Sequence, residues 1–249
     1  MKAIYIIWLR ELKRFFRAKS RVLGSLAMPL FWLAIVGTGL NSSFSFPGIG
    51  VDYREFMLPG IVAMILLFGS MFSGLFVIWD KQFGFLKEML VAPISRTTIM
   101  IGRALGGATT AMFQGLLILL ISSFLGIHIT GIRGILDSLI YMTLISISFV
   151  SVGIAFASKM EDPHGFQLIV NFLIMPMFFL SGALFPLSGL PAWLRYLAYF
   201  NPMTYGVDAL RNTLIGIPGL PLLLDFLVLL GFCIITIGIG SFLFSRAEV

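Results

Sequence analysis

Charge is scarce in this sequence. Of 249 residues only 11% are Asp, Glu, Lys or Arg, while 59% are hydrophobic. Soluble domains carry about 25% charged residues, so a water-soluble globular fold is excluded. A single cysteine, Cys233, lies inside an apolar run. That rules out a disulfide framework and a cysteine-based metal centre, and Cys233 reads as a small buried hydrophobe. The two histidines, His128 and His164, fall in predicted loops on opposite faces and cannot share a site. No Gly-Lys dipeptide occurs, so the chain has no GxxxxGK[ST] loop to cradle nucleotide phosphates. The turn Glu161, Asp162, Pro163, His164 has no cysteine or second histidine nearby and reads as a solvated loop. No catalytic, metal or cofactor residues are expected.

Apolar length is what the chain has. A membrane span needs roughly 20 apolar residues. Six windows qualify, at 22–40, 57–79, 99–126, 135–157, 166–186 and 222–244. The connections are short, which predicts one all-α membrane domain over residues 1–249. Six spans put both termini on one side. With the amino terminus, the 80–98 loop, Arg103, the 158–165 loop and the carboxyl tail on that side, it holds 13 of the 17 Lys and Arg residues. Arg54, Arg133, Arg195 and Arg211 fall on the other, while acidic residues divide six to five. A bias in Lys and Arg alone marks the cytoplasmic face, so both termini are expected there, in the cell membrane.

The central parts of the six spans hold no Asp, Glu, His, Lys or Arg. Membrane enzymes and ion-coupled transporters place such groups near the bilayer centre. Arg103, Asp137 and Asp225 sit within about a turn of predicted span ends, where they are expected to reach the interface. Gln114 and Asn171 are the most polar mid-span residues and are expected to bond across helices. Gly102 with Gly106, Gly69 with Ser73 and Ser70 with Gly74 are small pairs suited to close packing, within one chain or between two. Asn41-Ser42-Ser43 fits a glycosylation sequon, a tripeptide too common by chance to decide anything.

Residues 1–21 form a basic amphipathic helix. On a helical wheel Tyr5, Trp8, Leu9, Leu12, Phe15 and Phe16 share one arc, and Arg10, Lys13, Arg14, Arg17 and Arg21 lie opposite. The expectation is a retained interface helix in the cytoplasmic headgroup layer, anchored by Trp8. Residues 80–97, "DKQFGFLKEMLVAPISRT", make the longest connection on the same side. Phe85, Leu86, Met89 and Leu90 recur at helical spacing, Asp80, Lys81, Lys87 and Glu88 form a polar face, and Pro93 stops the segment. Such a helix caps the membrane edge or docks its apolar face in a partner's groove.

The stretch 174–211, "IMPMFFLSGALFPLSGLPAWLRYLAYFNPMTYGVDALR", carries a more specific pattern. Ile174, Met177, Leu180, Ser181 and Ala183 are followed by Leu190 and Pro191, then by Pro202, Met203, Tyr205 and Arg211. This pattern resembles the permeases of type-2 ATP-binding-cassette (ABC) exporters, most closely the drug-resistance and nodulation-factor branch. The 80–97 loop looks like that family's coupling loop and residues 1–21 like its interface helix. The resemblance implies a transport subunit without its own ATPase site, exporting an amphipathic or hydrophobic molecule. The first and fifth spans would flank the route. ATP and Mg would act on a separate ABC ATPase, present in two copies. A second permease copy would complete the pathway as a homodimer, and no nucleic acid is involved. Phe85, Leu86, Lys87, Glu88, Met89, Leu90 and Pro93 would couple to the ATPase.

Residues 187–215 would dip back as short helices forming an outer gate that includes Ser181, Ala183, Pro191, Trp193, Tyr199, Asn201, Pro202, Tyr205, Asp208 and Arg211. The residues themselves agree: Trp193, Tyr196, Tyr199 and Phe200 suit a headgroup boundary. Asn201 can cap a helix beginning at Pro202, on which Asp208 and Arg211 are spaced to pair. Polysaccharide or glycolipid export shares this architecture and stays open. A lipid-modifying enzyme would need a cluster of ionisable residues, and a passive channel or scaffold would leave the 80–97 helix without a purpose.

Overall fold

The computed structural model describes residues 2–41, 51–91 and 93–246, with the side chains at positions 21, 40, 41, 87 and 90 excepted. Ser42 and Ser43 of the sequon lie outside the described residues, as does the Asn41 side chain. Helix α1 is Lys2–Arg17. The first span is α2 (Lys19–Phe31), a π-helical turn (Trp32–Val36) and α3 (Gly37–Asn41). The second is α4 (Tyr53–Ser73) continued by α5 (Leu75–Gln82), and α6 (Phe85–Val91) follows. Spans three and four are α7 (Arg96–Phe124) and α8 (Ile132–Lys159). The fifth is α9 (Pro163–Ile169), a second π-helical turn (Val170–Ile174) and α10 (Met175–Leu180). Then come α11 (Ala192–Phe200), α12 (Pro202–Ile215) and the sixth span, α13 (Leu222–Ser245).

Among the described residues six helical stretches are long and apolar enough to cross a membrane. The predicted spans match them, with shifted ends. The second runs Tyr53–Gln82, and the fifth stops at Leu180, before the predicted 186. It stops because Gly182 takes a positive φ of 76°, which breaks the helix. Side chains place the other boundaries. Ser95 Oγ accepts from the Thr98 amide at 3.2 Å, and Asp162 accepts from the His164 and Gly165 amides at 3.1 and 2.9 Å. Asp162 with Pro163 is therefore the start of the fifth span and not a free loop.

Spans two, three and four form the core. There the backbones touch: a Cβ on Gly74 of the second span would overlap the Gly153 carbonyl of α8. Gly107 of α7 faces Ser73, and Gly69 faces Gln114 and Ala111. Gly102 and Gly106 face Ile7 and Glu11 of α1. These small residues thus serve contacts inside one chain. Gln114 bonds across helices as expected, its Nε2 donating to Ser25 Oγ at 2.6 Å, and Cys233 is buried. Asn171 does not: it pairs on its own exposed face with Gln167.

The face α1 turns inward differs from the predicted arc. Ile7, Glu11 and Phe15 are buried, whereas Tyr5 and Phe16 stay largely exposed. The gap between Gly102 and Gly106 admits the helix along that line, and Trp8 Nε1 donates to Thr109 Oγ1 at 3.0 Å. Trp8 thus anchors α1 to α7.

Candidate functional site

At the end of the bundle that carries both termini, Asp80 closes the second span just ahead of α6. Its side chain is only 5% exposed. Arg103 Nη2, from α7, donates to Asp80 Oδ2 at 2.5 Å. Arg10 and Arg14, one turn apart on α1, reach the same carboxylate at 3.2 and 3.5 Å. Glu11 stands 3.9 Å from both of those arginines. Burial lowers the Arg14 pKa, and the charges of Glu11 and Asp80 oppose that shift. Three elements are thereby tied to one carboxylate. Arg103 does not reach the interface as expected; it is buried against Asp80. The observed span begins at Arg96, not 99, which sets Arg103 two turns inside it, where a cation needs a buried partner.

Helix α6 rests on this cluster. Met89 Sδ lies 3.5 Å from both Arg10 Nη1 and Arg103 Nη2, and Leu86 is fully buried. Leu86 therefore packs into its own bundle and is not free to enter a partner's groove. The outward face carries Phe83, Phe85, Glu88, Val91 and Pro93, with Val91 87% exposed. The side chains of Lys87 and Leu90 lie outside the described residues. Of the other α1 basic residues, Lys13 and Arg17 are exposed.

At the opposite end, the two halves of the 174–211 pattern form one structure. Asn201 caps α12 by accepting from the Met203 amide at 3.0 Å, and its Nδ2 donates back to the Met177 carbonyl at 2.6 Å. Arg211 Nη2 donates to the Gly182 carbonyl at 2.8 Å, and its guanidinium lies 4.1 Å above the Phe56 ring. Ser181 and Ala183 are buried in the same turn, Ala183 against Gly60. Helix α12 packs among α4, α8 and α13. Its Gly206 meets Ile145, halfway along α8, and its Thr213 carbonyl meets Gly134 near the start of α8. Beside it α11 is peripheral, with Trp193, Tyr196 and Phe200 strongly exposed and Tyr199 partly so. Pro191 precedes α11, Pro202 begins α12, and Tyr205 donates to the Tyr199 carbonyl at 2.9 Å.

The expected Asp208–Arg211 pair does not form within 4 Å. Asp208 Oδ2 instead accepts from the Leu220 amide at 2.7 Å, beneath Gly219. The chain after α12 turns at Gly216, whose φ is 71°, and returns over the Asp208 carboxylate. Asp208 is an anchor for that loop.

Between the two ends, α2, α4, α5, α7 and α10 line a partly open cavity of about 500 Å³. Trp32, Phe68, Phe72, Phe76, Trp79 and Phe178 supply aromatic walls, and the Gln114–Ser25 pair supplies its polar spot. Among the described residues no charged side chain lines it. The Arg14 guanidinium lies 3.8 Å over the ring of Phe76, one of those walls. Among the described residues no cluster of His, Cys, Asp and Glu could hold a metal ion.

Six helices long and apolar enough to span a bilayer, among the described residues, with an aromatic-walled cavity beside them, make this a multi-pass membrane protein. The chain belongs to the ABC-2 type transporter family, whose model matches residues 2–215. It is similar to the inner membrane transport permease YadH of Escherichia coli K12, 26% identical over 241 residues, covering 93% of this chain and 90% of that one. It is also similar to nodulation protein J of Rhizobium leguminosarum bv. viciae, 27% identical over 216 residues and covering 86% and 80% of the two chains. The protein is an ABC-2 permease subunit of a transporter.

Proposed function

We propose that this permease exports amphipathic or hydrophobic molecules, drug-like or lipid-like, using ATP hydrolysed by a separate ABC ATPase. Two permease copies and two ATPases make the working unit, with both termini cytoplasmic. The observation that carries the reading is the linkage at Asp80. A partner pressing on α6 pushes a helix already tied to the second span, to α1 and to α7, and those elements border the cavity. An uncharged aromatic cavity favours an apolar moiety, with the Gln114–Ser25 pair orienting a polar one. The coupling set is Phe85, Glu88, Met89 and Pro93, to which exposure adds Phe83 and Val91.

The gate consists of Ser181, Ala183, Pro191, Trp193, Tyr199, Asn201, Pro202, Tyr205, Asp208 and Arg211, because these join the fifth span's end to α12. Residues 1–17 serve as the interface helix, held on α7 and presenting Lys13 and Arg17 to anionic headgroups. The first and fifth spans are the thinly covered neighbours of the cavity, with Leu23, Met28, Ile35 and Phe172 exposed, and a second copy would cover them.

Purification of the tagged permease from native membranes tests the reading. An ATPase should accompany the wild type and be lost from Phe85→Asp with Val91→Asp at unchanged permease yield. Retention of a stoichiometric ATPase by that double variant, or no ATPase with the wild type, would reject it. Transport of a glycan instead of a lipid-like probe into inverted vesicles would move the substrate to the polysaccharide class.

A further inference from the structure

Asp225 stands outside the machinery described so far. It lies in the first turn of α13, is 0% exposed, and neither carboxyl oxygen has a hydrogen-bond partner. No other side chain among the described residues has two buried polar atoms without partners. Sequence position suggested an acid able to reach the membrane interface, but α12 covers it by packing against both α8 and α13.

Nothing around it compensates a negative charge. The titratable groups near enough to interact are Tyr141 of α8, with Asp137 beyond it, and Tyr205 and Asp208 of α12. Tyr141 donates its hydroxyl proton to the Leu222 carbonyl at 3.2 Å, and Tyr205 donates its own to the Tyr199 carbonyl at 2.9 Å. Asp208 is a second acid and uses its carboxylate on the Leu220 amide. Arg211, the cation on α12, is committed to Gly182 and Phe56. No Lys or Arg among the described residues lies within salt-bridge distance of Asp225. The helix dipole favours an anion at this end, but Asp225 accepts none of the first-turn amides. An ionised carboxylate so placed would be buried, unpaired and unbonded, which proteins avoid by neutralising the group.

We infer that Asp225 is a proton-binding site: a neutral carboxylic acid while α12 is seated on α8 and α13, releasing its proton when that junction opens to water. The assignment of the proton does not depend on the proposed function; its release on opening does.

Infrared spectra of the full chain in lipid, wild type minus Asp225→Asn, test the proton directly. At neutral pH the difference should contain the carbonyl stretch of a protonated carboxylic acid. A difference containing carboxylate bands only would overturn the inference. Asp225→Asn should accumulate as the wild type does, since Asn matches a neutral acid in size and charge. Failure of Asn, together with stabilisation of the wild type by added sodium, would mean a bound metal cation and would equally overturn it. For the release step, export by the wild type should slow as the outer medium is acidified, while Asp225→Asn stays flat over the same range. Coincident profiles would remove the release and leave the infrared result standing.

Discussion

Arg103 and Asp80 meet 2.5 Å apart, with 3% and 5% of their side chains exposed, at the point where the second span hands over to α6. Burial makes this pair unlike the surface contacts around it. Removing one member of a buried pair costs about 3–5 kcal/mol, because the other charge is left uncompensated. Asp80→Asn leaves Arg103, Arg10 and Arg14 facing one another and should lower the thermal midpoint sharply and release α1. Arg10, with 35% of its side chain exposed, belongs to the other regime, where pairs contribute about 0–1 kcal/mol. Arg10→Gln should therefore be mild. Equal midpoints for the two variants would show that Asp80 is not the centre of the cluster.

Docking of α1 depends on Gly106. A Cβ there would stand 2.6 Å from Glu11 Cβ, so even alanine forces the helices apart. Overpacking of this kind costs about 1–3 kcal/mol. Trp8→Cys and Thr109→Cys, at positions the indole now bridges, should be joined by a short bifunctional thiol reagent in the parent chain and escape it when Gly106→Leu is added. Undiminished cross-linking would show that the docking of α1 does not depend on Gly106.

For the cap, Arg211 and Asp208 are expected to act independently. Arg211→Ala removes a charged hydrogen bond to Gly182, worth about 1.5–3 kcal/mol, together with the stacking on Phe56. Arg211→Lys should fall between it and the wild type, since Lys keeps charge without the planar fork. Arg54→Ala, at the partly exposed start of α4, is the milder comparison. Asp208→Ala frees the loop at Leu220. Denaturation of both single variants and the double should give additive effects to within about 0.5 kcal/mol. A larger coupling would restore the ion pair that i, i+3 spacing suggested.

Acid should loosen the start of the fifth span. The backbone amides of Gly165 and His164 hold the Asp162 pKa below its ordinary value. A depressed folded pKa means the cap's contribution is complete above about 3.9, the unfolded value, and is lost as pH falls through the lower folded one. Amide exchange over 163–166, referred to the unstructured rate at each pH, should show protection that fades only in strong acid. Asp162→Asn should keep the cap and lose that pH dependence. Protection unchanged by Asp162→Ala would dismiss the cap.

The spans were legible because about twenty apolar residues in a row have few other readings. Their ends were less so: the second span extends through "WDKQ" because Asp80 is neutralised by partners 70 and 23 residues away. No local pattern announces those partners. Periodicity also identified α6 as amphipathic without telling which apolar residues face its own protein, and Leu86 proved to be one of them. The pattern at 174–211 was readable as a unit. Spacing allowed Asp208 to pair with Arg211, but the loop returning through Leu220 captured it first.

The π-helical turns at Trp32–Val36 and Val170–Ile174 sit in the first and fifth spans, the two that border the cavity with the thinnest cover. Each holds one residue more than an α-turn. Beyond the second, Pro176 has no amide to offer the Phe172 carbonyl, which favours the wider turn there. Relaxing such a turn to α geometry would advance the register by one residue and swing everything beyond it by about 100°. In the fifth span the part that swings carries Phe178, a wall of the cavity. These spans thus carry a register defect in mid-helix, and closing the second one would turn Phe178 only by breaking the bond that Asn201 Nδ2 makes to the Met177 carbonyl.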